Sequence, residues 1–274
     1  MGNQEDAYLA DAPNIAGDRS ILKAVAMPTE HGGWSLTLEP VVLALVVSWS
    51  WSGLALGFAA MLAFIARTPL KIVLGDLWRN RWLERSGVAA RVASIEVFLF
   101  IALIVYAIFE AENNFLIPLL IALPLVAIQL YFDIRSKSRR LLPELCGTVG
   151  IGSVASAIVL ANGVANTTAY ALWIVVATRG VAAIPYARTQ VFRKRGRPVK
   201  VWHSDLAQLF AGVSVIIAYL FHIVPLAPTI AIVIIAIFNI IAIRNTPLPA
   251  KIIGLQQMFF GITLVVITAI AVLV

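Results

Sequence analysis

A histidine, several carboxylates and a set of arginines stand inside, or at the edges of, long apolar runs in this chain. A charged group in hydrocarbon costs several kcal/mol, order of magnitude, so each is a candidate for chemistry. The first group is Thr29-Glu30-His31-Gly32-Gly33-Trp34-Ser35, followed by Glu39-Pro40 about one turn inside the first apolar segment. Histidine exchanges a proton near neutral pH and paired glycines admit close backbone approach. His31 and Glu39 are therefore candidate catalytic residues, the alternative being an interfacial reentrant turn anchored by Trp34. Glu39 at that depth needs a cationic partner.

A second group closes the next apolar run: Arg67-Thr68-Pro69-Leu70-Lys71, leading to Asp76. Arg67 and Lys71, spaced i, i+4, share a helical face if Pro69 does not break the turn, and two cations on one face suit a phosphate or carboxylate. The alternative is that both snorkel to lipid headgroups. Asp76 is a third candidate acid or base. The third group is Arg179-Gly180 and then Pro185-Tyr186-Ala187-Arg188-Thr189-Gln190. Arg179, about halfway through its apolar run, is too deep to snorkel and should pair with a bound anion or with Glu144, Glu39 or Glu96. Ala66-Arg67-Thr68 recurs as Ala187-Arg188-Thr189, each closing an apolar run at the same membrane edge. The basic run Arg193 to Arg197 reads as a solvated loop against anionic lipid.

The elements that must position these residues are membrane helices. The 274 residues are 61% hydrophobic and 13% charged, with mean hydropathy +0.92, whereas soluble domains carry about a quarter charged residues. A span needs about 20 mostly apolar residues. The pattern predicts an all-α polytopic membrane protein of nine helices, near residues 36–49, 52–74, 92–109, 114–132, 143–161, 168–189, 205–222, 225–243 and 250–273. Lys and Arg fall on alternate loops. Ser48–Gly53, Glu110–Asn114, Ala161–Thr168 and His222–Pro225 have none, so the positive-inside rule predicts an inside N-terminus and an outside C-terminus in a cell membrane.

The net charge of +7 is distributed over these loops without forming one basic face, so no nucleic-acid partner is expected. Residues 1–23 read as a polar cytosolic tail and 24–274 as a single transmembrane domain, with no cleavable signal. The lone Cys146 excludes an intrachain disulfide. His31, His203 and His222 make no haem-ligand pattern, and no cofactor is expected.

Pro28-Thr29-Glu30-His31-Gly32-Gly33-Trp34, Arg67-Thr68-Pro69-Leu70-Lys71 and Ile184-Pro185-Tyr186-Ala187-Arg188 resemble the YwiC-like bacterial membrane family, from about residue 24 onward. More distantly, the nine-helix layout and the basic stretch Tyr131 to Arg140, which holds Asp133, are similar to the UbiA prenyltransferase superfamily. That resemblance implies a UbiA-like bundle and an isoprenoid ligand. It also implies Mg²⁺ held by aspartate-rich motifs at the ends of helices 2 and 6, and there the chain departs. Arg67, Lys71 and a lone Asp76 stand at the first position, and Arg188, Thr189 and Gln190 at the second. One aspartate among arginines does not make a Mg²⁺–diphosphate site, so Mg²⁺ is not expected and arginine forks would bind the anion directly.

The expected function is binding of an anionic isoprenoid or lipid amphiphile at the cytoplasmic membrane edge. Arg67, Lys71, Asp133, Arg179, Tyr186 and Arg188 are the ligand-binding residues, and metal-independent group transfer is the enzymatic version. The alternatives are a transporter or flippase, or a non-enzymatic membrane subunit with a protein partner.

Overall fold

The computed structural model describes Leu22, Val25 and residues 31–137 and 139–274; the side chains of His31 and Gly32, and the predicted tail, lie outside the described residues. Over 31–274 the chain forms nine helices and, among the described residues, no strand. They are α1 (His31–Val47), α2 (Trp51–Trp78), α3 (Glu84–Glu110), α4 (Leu116–Ile134), α5 (Leu141–Ala161), α6 (Asn166–Lys194), α7 (Trp202–Leu220), α8 (Leu226–Ala242) and α9 (Ala250–Leu273). Seven are long and apolar enough to cross a membrane, and α1 and α8 are shorter apolar helices. The protein is a multi-pass membrane protein. Its even-numbered connections, beginning with α2–α3, carry the Lys and Arg residues and define a basic end of the bundle; the odd-numbered ones lie at the opposite end.

All nine expected helices are present, and α1 to α7 run further on the basic side than expected, while α8 and α9 do not. α2 runs unbroken through Pro69 to Trp78, and α3 begins at Glu84, well before the expected residue 92. Ser86 explains the early start: its hydroxyl accepts from the Leu83 N–H at 3.2 Å and donates to Asp76 Oδ2 at 2.8 Å. α1 also starts early, so the Gly32-Gly33 pair lies in its first turn, in a helix and not in a reentrant turn. Gly33 is needed there for packing, since a Cβ would stand 2.6 Å from the Phe64 ring, whose edge meets Trp34. The narrow break between α1 and α2 is real: Ser50 caps α2 by accepting from Gly53 N–H at 2.9 Å, and Asn162 donates to Ser48 Oγ at 2.7 Å.

Small residues decide which helices sit at the centre. α5 is studded with Gly and Ser, and 67% of its apolar window is buried against protein, against 11% for α3. Lipid tails are as apolar as leucine, so close packing of small residues is what holds membrane helices together. Gly147 receives Gln129 of α4, Gly152 receives Trp173 of α6, and Gly180 of α6 receives the Thr148 methyl group. α5 and α6 thereby form a central pair, with α3 and α4 turned mostly to lipid.

Candidate functional site

Three arginine–carboxylate pairs that hold sequence candidates join one helix to another. The first lies at the basic end. Arg67 of α2 forks onto Asp133 of α4, Nε at 2.7 Å from Oδ2 and Nη2 at 3.1 Å from Oδ1, with the Asp133 side chain 1% exposed. Nearby, Arg188 of α6 donates from Nη1 to Glu144 Oε2 at 3.2 Å and to the Arg139 carbonyl at 2.7 Å. Asp133 and Glu144 flank the α4–α5 connection, so the repeated Ala-Arg-Thr has a structural meaning. Each copy sets an arginine in the basic half of its helix, inside the helix and not at its end, and that arginine grips one end of the same loop.

The third pair is near the middle of the bundle. Arg179, halfway along α6 and 4% exposed, has Nε 3.1 Å from Oε2 of Glu39 on α1, itself 10% exposed. Of the three carboxylates considered for Arg179, the partner is Glu39; Glu144 belongs to Arg188, and Glu96 of α3 has a buried Oε2 with no hydrogen-bond partner. Arg179 Nη2 also donates to the Gln257 carbonyl of α9. The contact with Glu39 joins the charges without the alignment of a hydrogen bond, because Arg179 Nε and Glu39 Oε1 both lack a hydrogen-bond partner. Gly261 of α9 makes the room: a Cβ there would overlap the Glu39 carboxylate.

The remaining sequence candidates are dispersed. Asp76 is buried at the α2–α3 turn, where Oδ1 accepts from Arg81 Nε at 2.9 Å, Oδ2 accepts from Ser86, and Arg85 lies 3.7 Å away. It ties the turn together. Lys71 is half-buried on the Arg67 face of α2. Tyr186 is fully buried, donating to Gln256 Oε1 and accepting from Gln190 Nε2, each at 3.3 Å. The six proposed ligand-binding residues thus do not converge on one point: Arg179 lies at mid-depth, and Arg67 and Arg188 flank opposite ends of a loop. Arg193, expected in a solvated loop, is on α6 and donates to the Ile243 and Asn245 carbonyls at the C-terminus of α8, where a cation suits the helix dipole.

Sequence reasoning missed two features. One is a pocket of about 180 Å³ at the basic end, lined by Leu141, Pro185, Arg188, Thr189, Phe192, Val199 and His203. His203 belongs to it because its ring stacks on Trp202 and its Nδ1 lies 3.2 Å from the Lys200 carbonyl. The other is a set of buried amides. Gln208 of α7 donates to the Ala182 carbonyl at 2.7 Å, Asn239 of α8 donates to Gln208 Oε1 at 3.3 Å, and Gln257 reaches Asn239 Oδ1 at 3.5 Å. The signal was available, since four amides, with Gln190, interrupt helices that are otherwise apolar. Among the described residues no group of three or more His, Cys, Asp or Glu side chains is arranged to hold a metal ion.

Residues 27–159 match the family model described as YwiC-like protein. No curated protein and no solved structure matches the chain. The matched stretch reaches almost to the end of α5 and contains Glu39, Arg67, Asp76, Asp133 and Glu144, while Arg179 and the Ile184 to Arg188 motif lie beyond it. Over residues 27–159, just under half of its length, the chain is similar to the YwiC-like family.

Proposed function

We propose that this membrane protein binds the phosphate or carboxylate head of an anionic amphiphile in the pocket between α5, α6, the α6–α7 loop and the first turn of α7. The observation that carries the reading is the lining: Arg188, Thr189 and His203 beside the apolar residues Leu141, Pro185, Phe192 and Val199. A planar guanidinium with a hydroxyl and an imidazole suits an oxyanion, and apolar walls suit the first carbons of a tail. At about 180 Å³ the volume is below the roughly 300 Å³ at which pockets engulf whole ligands, so the tail lies along the bundle in lipid. The positive-inside rule supports reading this end as the cytoplasmic edge, where Arg139, Arg140, Lys194, Arg197 and Lys200 would raise the local concentration of anions.

This reading narrows the ligand site from four cations to one. Arg67 and Arg179 are committed to buried carboxylates, whereas Arg188 and Glu144 are both about a third exposed and the Arg188 fork lines the pocket. A UbiA-like, metal-independent prenyl or lipid transfer would be the catalytic form of the same function, with His31 or Asp76 as acid or base. Both carboxylate oxygens of Asp76 are engaged by its own turn, so the geometry supports binding better than transfer.

Arg188→Ala and Thr189→Val should each lower retention of a single-phosphate diacyl lipid in native mass spectra, relative to a phosphocholine lipid, while Arg67→Ala should leave it unchanged. Gel filtration in detergent checks that the variants remain folded. Equal retention by folded Arg188→Ala and Thr189→Val would overturn the reading.

A further inference from the structure

The midplane ion pair is not isolated: it is the inner stop of a polar column. From the basic end the column rises through Gln190 on α6, Gln208 on α7, Asn239 on α8 and Gln257 on α9, all buried, and reaches Arg179 and Glu39 through the Gln257 carbonyl. Toward the opposite end the same helices change character. Val175, Val215, Ile232 and Leu264 pack into an apolar plug, each at most 3% exposed. The polarity is therefore one-sided: hydrogen-bonding groups occupy the basic half of the interface and hydrocarbon fills the other.

Two features separate this column from ordinary polar glue between helices. Several of its atoms have no hydrogen-bond partner: Glu39 Oε1, Arg179 Nε, which only the ion pair approaches, Gln190 Oε1 and, at the basic end of α7, Ser204 Oγ. In a membrane each orphan costs several kcal/mol, order of magnitude, since no bulk solvent relieves it. Moreover, the two at the midplane are complementary. A carboxylate oxygen that only accepts lies beside an N–H that only donates, and both are satisfied together by one group able to donate and accept. Water does this, as does the hydroxyl of a solute of similar size.

We infer that α6, α7, α8 and α9 enclose an inlet from the basic end that stops at the Glu39–Arg179 pair, and that this pair binds water or a small hydroxylic solute arriving by that route. The inlet is separate from the Arg188 pocket and does not depend on the lipid-binding reading. Its polar half lies where positive-inside topology puts the cytoplasm, and its plug isolates the site from the other face.

Substituted-cysteine accessibility tests the inference on the full chain in membrane vesicles. The native Cys146 is first exchanged (Cys146→Ser), then single cysteines are introduced: Gln208→Cys, Asn239→Cys and Gln257→Cys in the column, Val215→Cys and Leu264→Cys in the plug. The probe is a small charged methanethiosulfonate, read as a mass shift in inside-out and right-side-out vesicles. Column positions should react from the cytoplasmic side alone and plug positions from neither. Ala182→Cys carries the same expectation as the column positions while leaving every amide in place, so a misfolded amide variant does not decide the matter. Inert Ala182→Cys and Asn239→Cys on both sides would overturn the inlet, and so would reaction at the plug equal to that in the column.

Discussion

Glu39→Met alone is expected to cost about 3–5 kcal/mol of stability, because it leaves the Arg179 guanidinium buried in mid-membrane without its counter-charge. Arg179→Met should cost a similar amount by stranding the carboxylate. The double exchange to Glu39→Met with Arg179→Met should recover most of the loss, since well-packed apolar groups of similar volume often replace a buried pair without penalty. Unfolding of the four proteins in mixed micelles, read as a double-mutant cycle, gives the coupling directly. Additive single effects would mean that the two groups do not act as a pair. Recovery of stability in the double variant would separate folding from function, because any activity still missing there belongs to the charges themselves.

Gly261→Ala is the second large effect expected. One methyl group on α9 would occupy the space of the Glu39 carboxylate, and moving that carboxylate disturbs Arg179 and its bond to the Gln257 carbonyl. Overpacking of this kind costs about 1–3 kcal/mol. The loss should largely vanish in a Glu39→Ser background, where the shorter side chain no longer fills the space under Gly261. The same micelle unfolding measures it. An equal penalty in both backgrounds would show that the glycine serves the α9 backbone instead of the ion pair.

The helices were legible because hydrocarbon imposes one rule on every span: about 20 apolar residues with the backbone satisfied internally. Nine apolar runs, separated by eight breaks, gave the nine helices of residues 31–274. Helix ends on the basic side were less legible, since beyond the hydrocarbon hydropathy says nothing and local groups decide, as Ser86 does for α3 and Arg193 for the end of α6. That Glu39 and Arg179 both needed partners followed from depth alone. Which partners they take did not, because the rotation of one helix about its axis relative to another leaves no trace in either hydropathy profile. Arg179 had three carboxylates within reason and the register of α1 against α6 selected one. The amide column escaped for a different reason. Gln208, Asn239 and Gln257 carry no charge, so hydropathy averages absorb them, and only their convergence from three helices marks them as a group. The Arg188 pocket needed Val199 of the α6–α7 loop and His203 in the first turn of α7 folded back against α6, a contact with no periodicity to announce it.

Native mass spectrometry of the protein released from its own membrane, with and without EDTA, tests the anion-binding reading most directly. A retained anionic lipid that survives EDTA, and is lost from the folded Arg188→Ala variant, is the predicted result. Absence of any retained lipid, or its release by EDTA as expected of a metal-bridged head group, would contradict it.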